Sequence, residues 1–279
     1  MDFNPIFVRR MLEYFLLEDI YYQDVTTVAT VGLDERGKFV VRAKEDLVLC
    51  GVYIALELIK MVDVDATVDI IKKDGDEVKK GEVIMEVSGS TRALLSVERT
   101  LLNLLQRLSG IASLTRYVVT KLEGFKTKLL DTRKTTPGLR ILEKYAVRIG
   151  GGHNHRIGLF DGVLIKDNHI AVVGSIKEAV RRVKDRIPVT LKIEVEVKNL
   201  DELVEAIEAG CDMVLLDNMK IDELREAVKI AKGRVITEAS GNITPENIRE
   251  IASTGVDYIS SGFIVHHAVW KDINMKVVS

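Results

Sequence analysis

What most restricts the fold of this chain is an alternation that begins at residue 127. Short apolar runs end at Asp131 (TKLLD), Lys166 (GVLIK), Val197 (LKIEVEV), Asn218 (MVLLDN), Ser240 (VITEAS) and Gly262 (DYISSG). Between them lie PGLRILEKYAV, SIKEAVRRVKD, NLDELVEAIEAG, KIDELREAVKIAKG and TPENIREIASTG. The runs have the length and composition of buried strands, and the longer segments have helical periodicity. Thr244-Pro245 signals a helix start, and Gly210, Gly233 and Gly255 signal helix ends. The last strands recur about every 21 to 23 residues, as successive strand-helix units of a parallel barrel or a doubly wound sheet do. Polar residues decide between the two. Arg133/Lys134, Lys166, Glu194/Glu196, Asp217, Glu238 and Ser260/Ser261 all stand at or just past the carboxyl end of a strand. An open sheet builds a site only near its switch point, whereas every strand of a barrel can contribute. The expectation is an α/β chain whose six strands close as an incomplete parallel barrel, two short of the usual number.

The first hundred residues have another texture. Phe3, Ile6, Phe7, Met11, Tyr14 and Phe15 predict a packing helix over 3–17, followed by a loop around Gln23 to Thr27. KFVVRA, LVLCG and TVDIIK read as strands and VYIALELIKMV as a helix. The stretch DGDEVKKGEVIMEVSGS resembles the swinging-arm domains that carry biotin or lipoyl groups, but its lysine pair lacks their apolar neighbours, so it is read as scaffold. SVERTLLNLLQRLSGIASLTRYVVTKL predicts a helical region over 96–122 with a break at Ser109-Gly110 and burial on two sides. Arg99, at its beginning, reads by itself as a solvated first-turn arginine. The tail HHAVWKDINMKVVS is expected to leave the barrel and add an edge to the first domain, giving boundaries of 1–109 with the tail 266–279, and 110–265 for the barrel.

Composition excludes several classes. A formal net charge of −2 with 5% aromatic residues leaves no nucleic-acid footprint. No apolar run reaches the roughly 20 residues of a membrane span, and the acidic start without a cleavage pattern is not a signal peptide. A cytoplasmic protein is expected. Cys50 and Cys211, far apart and without metal-ligand spacing, read as buried reduced thiols.

Against that neutral background, residues 131–170 hold seven Lys/Arg and four Asp/Glu, a local +3, together with three of the five histidines. Such a concentration fits a pocket for polyanionic small molecules. Arginine suits carboxylates and phosphates bidentately, and lysine supplies a point charge. Glu196 and Asp217, hard oxygen ligands on adjacent strands opposite the cations, could hold Mg²⁺ largely through water or ligand hydroxyls. The turns Ala239-Ser240-Gly241-Asn242 and Ser260-Ser261-Gly262-Phe263 present small residues where the last two units of a barrel commonly bind phosphate. His153 and His155 lack a third ligand at a fixed spacing and make a poor metal site.

The motifs DTRKTTPGLRILEKYAVRIGGGHNHRIGLFDGVLIKDNH, EVEV, LLDN, EASGNIT and ISSG, in that order, resemble those of the quinolinate phosphoribosyltransferases from the ERTLLNLLQRLSGIAS helix to the SSGF turn. The resemblance implies an N-terminal α/β sandwich before the incomplete barrel. It also implies a homodimer with shared active sites, any further assembly of dimers being left open. On that likeness Arg99 reaches into the neighbouring subunit's site, replacing the solvated reading. Thr132, Arg133, Lys134, His155, Arg156 and Lys166 would surround the two carboxylates of quinolinate. Glu196 and Asp217 would hold the ribose hydroxyls and Mg²⁺ of phosphoribosyl pyrophosphate, and Lys134, Lys166, Glu196 and Asp217 would carry the catalytic work. Ser240, Gly241, Asn242, Ser261, Gly262 and Phe263 would seat the 5-phosphate. Asn242 stands where many relatives have glycine. The implied reaction needs no side-chain nucleophile. The runner-up readings are a non-decarboxylating relative and a Schiff-base aldolase using Lys134 or Lys166.

Overall fold

The computed structural model describes residues 4–278; Phe3 of the expected first helix lies outside them. Twelve strands follow in chain order: β1 (Arg36–Ala43), β2 (Leu47–Val48), β3 (Thr67–Ile70), β4 (Glu77–Val78), β5 (Val83–Ser90), β6 (Lys128–Leu130), β7 (Val163–Ile165), β8 (Ile193–Val197), β9 (Met213–Asp217), β10 (Ile236–Ser240), β11 (Tyr258–Ser260) and β12 (Ile273–Val278). They fall into two compact units. One comprises the chain up to Arg116, Tyr145–Gly151 and the residues from Ala268 on; the other comprises Tyr117–Lys144 and Gly152–His267.

The first unit carries an antiparallel sheet in the order β12-β1-β5-β3 and a small β2-β4 pair. The C-terminal strand β12 runs along β1 from Ala43↔Ile273 to Lys38↔Val278. Of the stretch over 74–90, Glu77–Val78 and Val83–Ser90 are strand, β5 being paired on both sides, while Lys79 and Lys80 stand exposed in the turn between them. Four sequence expectations change here. The loop at 23–27 is in part a short helix, Val25–Thr30, because Asp24 caps it through Thr27 N at 2.9 Å and Thr27 Oγ1 at 2.6 Å. LVLCG contributes only the two residues of β2. The helix Pro5–Ile20 buries Val8, Leu12 and Leu16 while Ile6, Phe7 and Tyr14 stay exposed, since apolar side chains surround it and only one stripe can face this unit's core. Finally, the helix Thr91–Thr120 runs for 30 residues without the expected break. Gly110 is there for closeness: a β-carbon on it would stand 2.2 Å from the carbonyl oxygen of Val269.

The second unit holds the parallel sheet, in the order β6-β11-β10-β9-β8-β7. Strands 7 to 11 are therefore neighbours in chain order and β6 joins the far side of β11, a ring with one seam rather than a doubly wound sheet with a switch point. At the seam β6 and β7 do not pair. A single parallel bridge, Leu130↔His153, borders β6 instead, made by Asp131 N to His153 O at 3.0 Å and His153 N to Leu129 O at 2.8 Å. The helical segments form as expected apart from two places. Asp167–Val173 is an additional short helix after β7. Thr244-Pro245 does not start a helix: Asn247 Oδ1 accepts from Thr244 N and turns the chain, so the helix is only Ile248–Ala252. Cys50 and Cys211 are buried free thiols.

Candidate active site

Parallel strands all point the same way, so their carboxyl ends share one rim. Lys166 follows β7, Glu196 is the penultimate residue of β8, and Asp217, Ser240 and Ser260 are the last of β9, β10 and β11. Alternation does the rest. On β9, Val214 and Leu216 are fully buried while Leu215 and Asp217 border the ring's cavity; on β10, Glu238 and Ser240 do so. The cavity measures about 650 Å³, within the usual range for small-molecule sites. Its lining includes Thr132, Arg133, Lys134, His155, Arg156, Lys166, Glu196, Asp217, Ser240, Gly241, Asn242, Ser261, Gly262 and Phe263. Every site residue expected from the sequence is there except Arg99. That arginine is exposed on the Thr91–Thr120 helix of the other unit.

The basic residues stand on two loops with internal supports. Lys134 N donates to Thr132 Oγ1 at 3.0 Å, and Thr136 donates through N and Oγ1 to the buried Glu143 at 2.9 and 2.8 Å. Arg156 is steadied by Gly162 O at 3.0 Å. Burial, then the charge of Arg133 nearby, lowers the pKa of Arg156, as expected where cations are gathered for an anion.

Lys166 differs from its expected place. Its Nζ lies 3.1 Å from Glu196 Oε2, so it belongs with the acids rather than opposite them. The register explains this: Ile165 pairs with Val195, which puts the next residue of each strand side by side. Glu196 and Asp217 do stand on adjacent strands, β8 and β9.

Below the rim is a cluster that motif reading treated only as strand-end polarity. His155 Nε2 is 2.8 Å from Glu194 Oε2 and 3.7 Å from Glu238 Oε2. Burial, then the charge of Glu194, pushes Glu238 up to about 8, so at neutral pH the two acids keep one proton between them and carry one negative charge. Burial lowers the pKa of His155, but its hydrogen bond to Glu194 and the charges of both acids outweigh that and raise it. Opposing them, the N–H of Arg156 points at Nδ1 at 2.7 Å, which favours the neutral ring with its proton on Nε2. Glu194, Glu196 and Glu238 sit two residues from a partner on the same strand face, a signal available from period-two alternation alone. Asp131 and Lys144, buried outright and ion-paired, had no such signal because nothing in a helical heptad marks a lysine for burial.

The two small-residue turns are linked. Ser261 Oγ donates to Ile243 O at 2.7 Å, so its hydroxyl ties the turns together instead of facing a ligand. Gly241 has φ +103°, and a β-carbon on it would strike the side chain of Asn218. Asn242, at φ +49°, donates from Nδ2 to Asn218 Oδ1 at 3.0 Å. His266 and His267 also border the cavity and escaped the sequence reading. Burial, then the charges of His267 and Lys134, lowers the pKa of His266.

A rim of arginines and lysines beside paired acids and two tight turns is suited to a dianionic ring and a phosphorylated sugar. Comparison with known proteins points the same way. Family profiles described as the C-terminal and N-terminal domains of quinolinate phosphoribosyl transferase match residues 111–276 and 24–109. The chain is 46% identical over 274 residues to a probable nicotinate-nucleotide pyrophosphorylase (carboxylating) of Bacillus subtilis, covering 98% of this chain and 94% of the other. It is 39% identical over 289 residues to the chloroplastic enzyme of that name from Arabidopsis thaliana, covering 97% and 82%. Among solved structures, NadC from Streptococcus pyogenes superposes with a TM-score of 0.95 at 39% identity over the whole of both chains. The nicotinate-nucleotide pyrophosphorylase from Francisella tularensis gives 0.94 at 42% identity, covering 99% and 98%. On both of its domains, therefore, this chain belongs to the quinolinate phosphoribosyltransferase family.

Proposed function

We propose that this chain transfers the phosphoribosyl group of phosphoribosyl pyrophosphate to quinolinate with decarboxylation, giving nicotinate mononucleotide, pyrophosphate and CO₂ in NAD biosynthesis. The observation that carries the reading is that Arg133, Lys134, Arg156 and Lys166 meet Glu196 and Asp217 around one cavity. Charge-assisted bonds from Arg133, Arg156 and Lys166 hold the adjacent carboxylates of the substrate, with Thr132 and His155 framing them. Lys166 is kept in reach by Glu196 until a substrate carboxylate competes for it. Lys134, on the same loop as Arg133, adds its charge to that grip. The turns Ser240-Gly241-Asn242 and Ser261-Gly262-Phe263 seat the 5-phosphate, in the second through the backbone N–H of Gly262, since the N–H and hydroxyl of Ser261 donate to Leu130 O and Ile243 O and the N–H of Phe263 donates to Ser261 Oγ.

The chemistry is then positioning and charge. The pyridine nitrogen gives its lone pair to C1 of the ribose as the C1–O bond breaks and its electrons leave with pyrophosphate. Once the ring nitrogen is cationic, the neighbouring C–CO₂ bond can break, its electron pair staying on the ring beside that charge until a proton takes it. No protein nucleophile is required. Nothing favours the Schiff-base reading: Lys166 is ion-paired, and the lysine whose pKa burial lowers, Lys144, is fully buried.

Glu196 and Asp217 fit Mg²⁺ in donor chemistry, as hard oxygens on adjacent strands that would bind it mainly through water and ribose hydroxyls. Bound there, it would neutralise the leaving pyrophosphate. A homodimer with Arg99 entering the partner's site is part of the reading. It is supported by the exposed Ile6, Phe7, Tyr14 and Leu17 on the first helix and by the exposure of Arg99 itself. No helix among the described residues is long and apolar enough to cross a membrane. Charged, water-soluble reactants and two buried free thiols suit the cytoplasm. The test is turnover of quinolinate against nicotinate with phosphoribosyl pyrophosphate and Mg²⁺. CO₂ released in step with nicotinate mononucleotide is expected, and reaction with nicotinate alone would overturn the decarboxylating assignment.

A further inference from the structure

Two loops bring three of the four basic side chains to the cavity, residues 132–134 after β6 and residues 155–156 after the bridge at His153. Neither is part of a strand, so something else must fix their separation. We propose that the buried ion pair Asp131–Lys144 is the positioning clamp of the substrate-carboxylate pocket, acting by holding both sides of the His155 peptide.

Four observations carry this. Asp131 and Lys144 are both fully buried, and Lys144 Nζ donates to Asp131 Oδ1. Asp131 also accepts from the backbone N–H of His155 at 2.9 Å and from Asn154 Nδ2 at 2.6 Å. Lys144 Nζ reaches the carbonyl of the same residue, His155 O, at 3.0 Å. Asn154 Nδ2 closes the ring on Lys144 O at 2.9 Å. The peptide groups before and after the His155 α-carbon are thus gripped from one charged pair, and the next residue is Arg156. Asp131 immediately precedes Thr132, Arg133 and Lys134, so the same carboxylate ties the two cation-bearing loops together. A buried ion pair contributes little net stability compared with an apolar pair of equal volume, because desolvation offsets the attraction. Its presence here is therefore better explained by geometry than by stability. Basic side chains on untethered loops would spread under mutual repulsion, and Arg133 and Arg156 line the same cavity.

The proposal deepens the functional reading above and rests on it for the identity of the substrate. Neither residue lines the cavity. Lys144→Met alone strands a buried carboxylate and destabilises the chain through that charge, so the decisive variant is Asp131→Asn combined with Lys144→Met, which is uncharged and similar in volume. Its folding is read from circular dichroism and thermal unfolding. The expected result is a folded protein whose KM for quinolinate rises at least 10-fold while KM for phosphoribosyl pyrophosphate changes less than threefold. Hydrogen exchange at the His155 amide should accelerate at least 10-fold relative to the amides of β8 and β9. A general structural role would weaken both substrates together. Parent-like KM for quinolinate, or equal loss for both substrates, overturns the clamp. If the parent protein itself does not turn over quinolinate, the functional reading fails instead, and the exchange at His155 still decides for or against the clamp. If the double variant does not fold, Asp131→Asn alone is measured in the same way, since it keeps the residue's shape and an oxygen acceptor for Lys144, whose pKa burial lowers so that it can shed its proton, and an unchanged quinolinate KM and His155 exchange in it also overturn the proposal.

Discussion

At Asn242 a single dihedral angle explains why asparagine suits the turn. Its φ of +49° is left-handed, where glycine is the usual residue and asparagine the most tolerated substitute. Its side chain adds a bond to Asn218 and its carbonyl accepts from Asn247 Nδ2 at 3.0 Å. Asn242→Gly should therefore be nearly neutral, while Asn242→Ala should cost about 1–3 kcal/mol in chemical denaturation, the strain of a β-carbon in that region. Glu238 makes a prediction of a different kind. Its pKa in the folded chain is about 8, well above the ordinary carboxyl value of 4.5, so between those values the folded state holds a proton that the unfolded state has lost. Its contribution to stability is complete below about pH 4.5 and fades as pH rises through 8. The raised pKa of His155 acts in the same direction. Thermal unfolding between pH 6 and pH 9 should show the parent losing stability with rising pH and Glu238→Gln losing distinctly less. Equal slopes would mean that Glu238 is ionised throughout.

Among the elements, the helix Thr91–Thr120 departs furthest from its sequence pattern. A Ser-Gly pair within a helical pattern reads as a break because glycine lowers helix propensity by roughly 1 kcal/mol. Here that cost is accepted for closeness, with Val269 O occupying the place of a side chain. Gly110→Ala should thus destabilise the chain by about 1–3 kcal/mol, the usual penalty of overpacking, although alanine is the better helix former. A rise in melting temperature would restore the reading as a plain helix interruption. The expected helix at Thr244-Pro245 failed for a related reason. Its start signals are real, but Asn247 takes Thr244 N for itself and turns the chain. The strands needed no such information, since their apolar runs and polar ends were local properties, and β6 to β11 lie where those runs do.

For the molecule as a whole, the reading that remains most exposed to test is the shared site. Arg99→Ala and Lys166→Ala should each abolish most activity, and mixing the two with subunit exchange should return about a quarter of the parent rate, the share of sites left intact in random dimers. No recovery would mean that each chain works alone. The sequence by itself determined the parallel strand count, the polar rim and the family, because strand ends, turn glycines and contiguous motifs are written in neighbouring residues. Only the tertiary structure decided that Lys166 sides with Glu196, that Glu238 and Glu194 crowd His155, and that a lysine on an ordinary helix is buried against Asp131. Those relations join residues from different strands and loops, and burial, which gives each its consequence, is a property of the packed chain and not of any stretch of it.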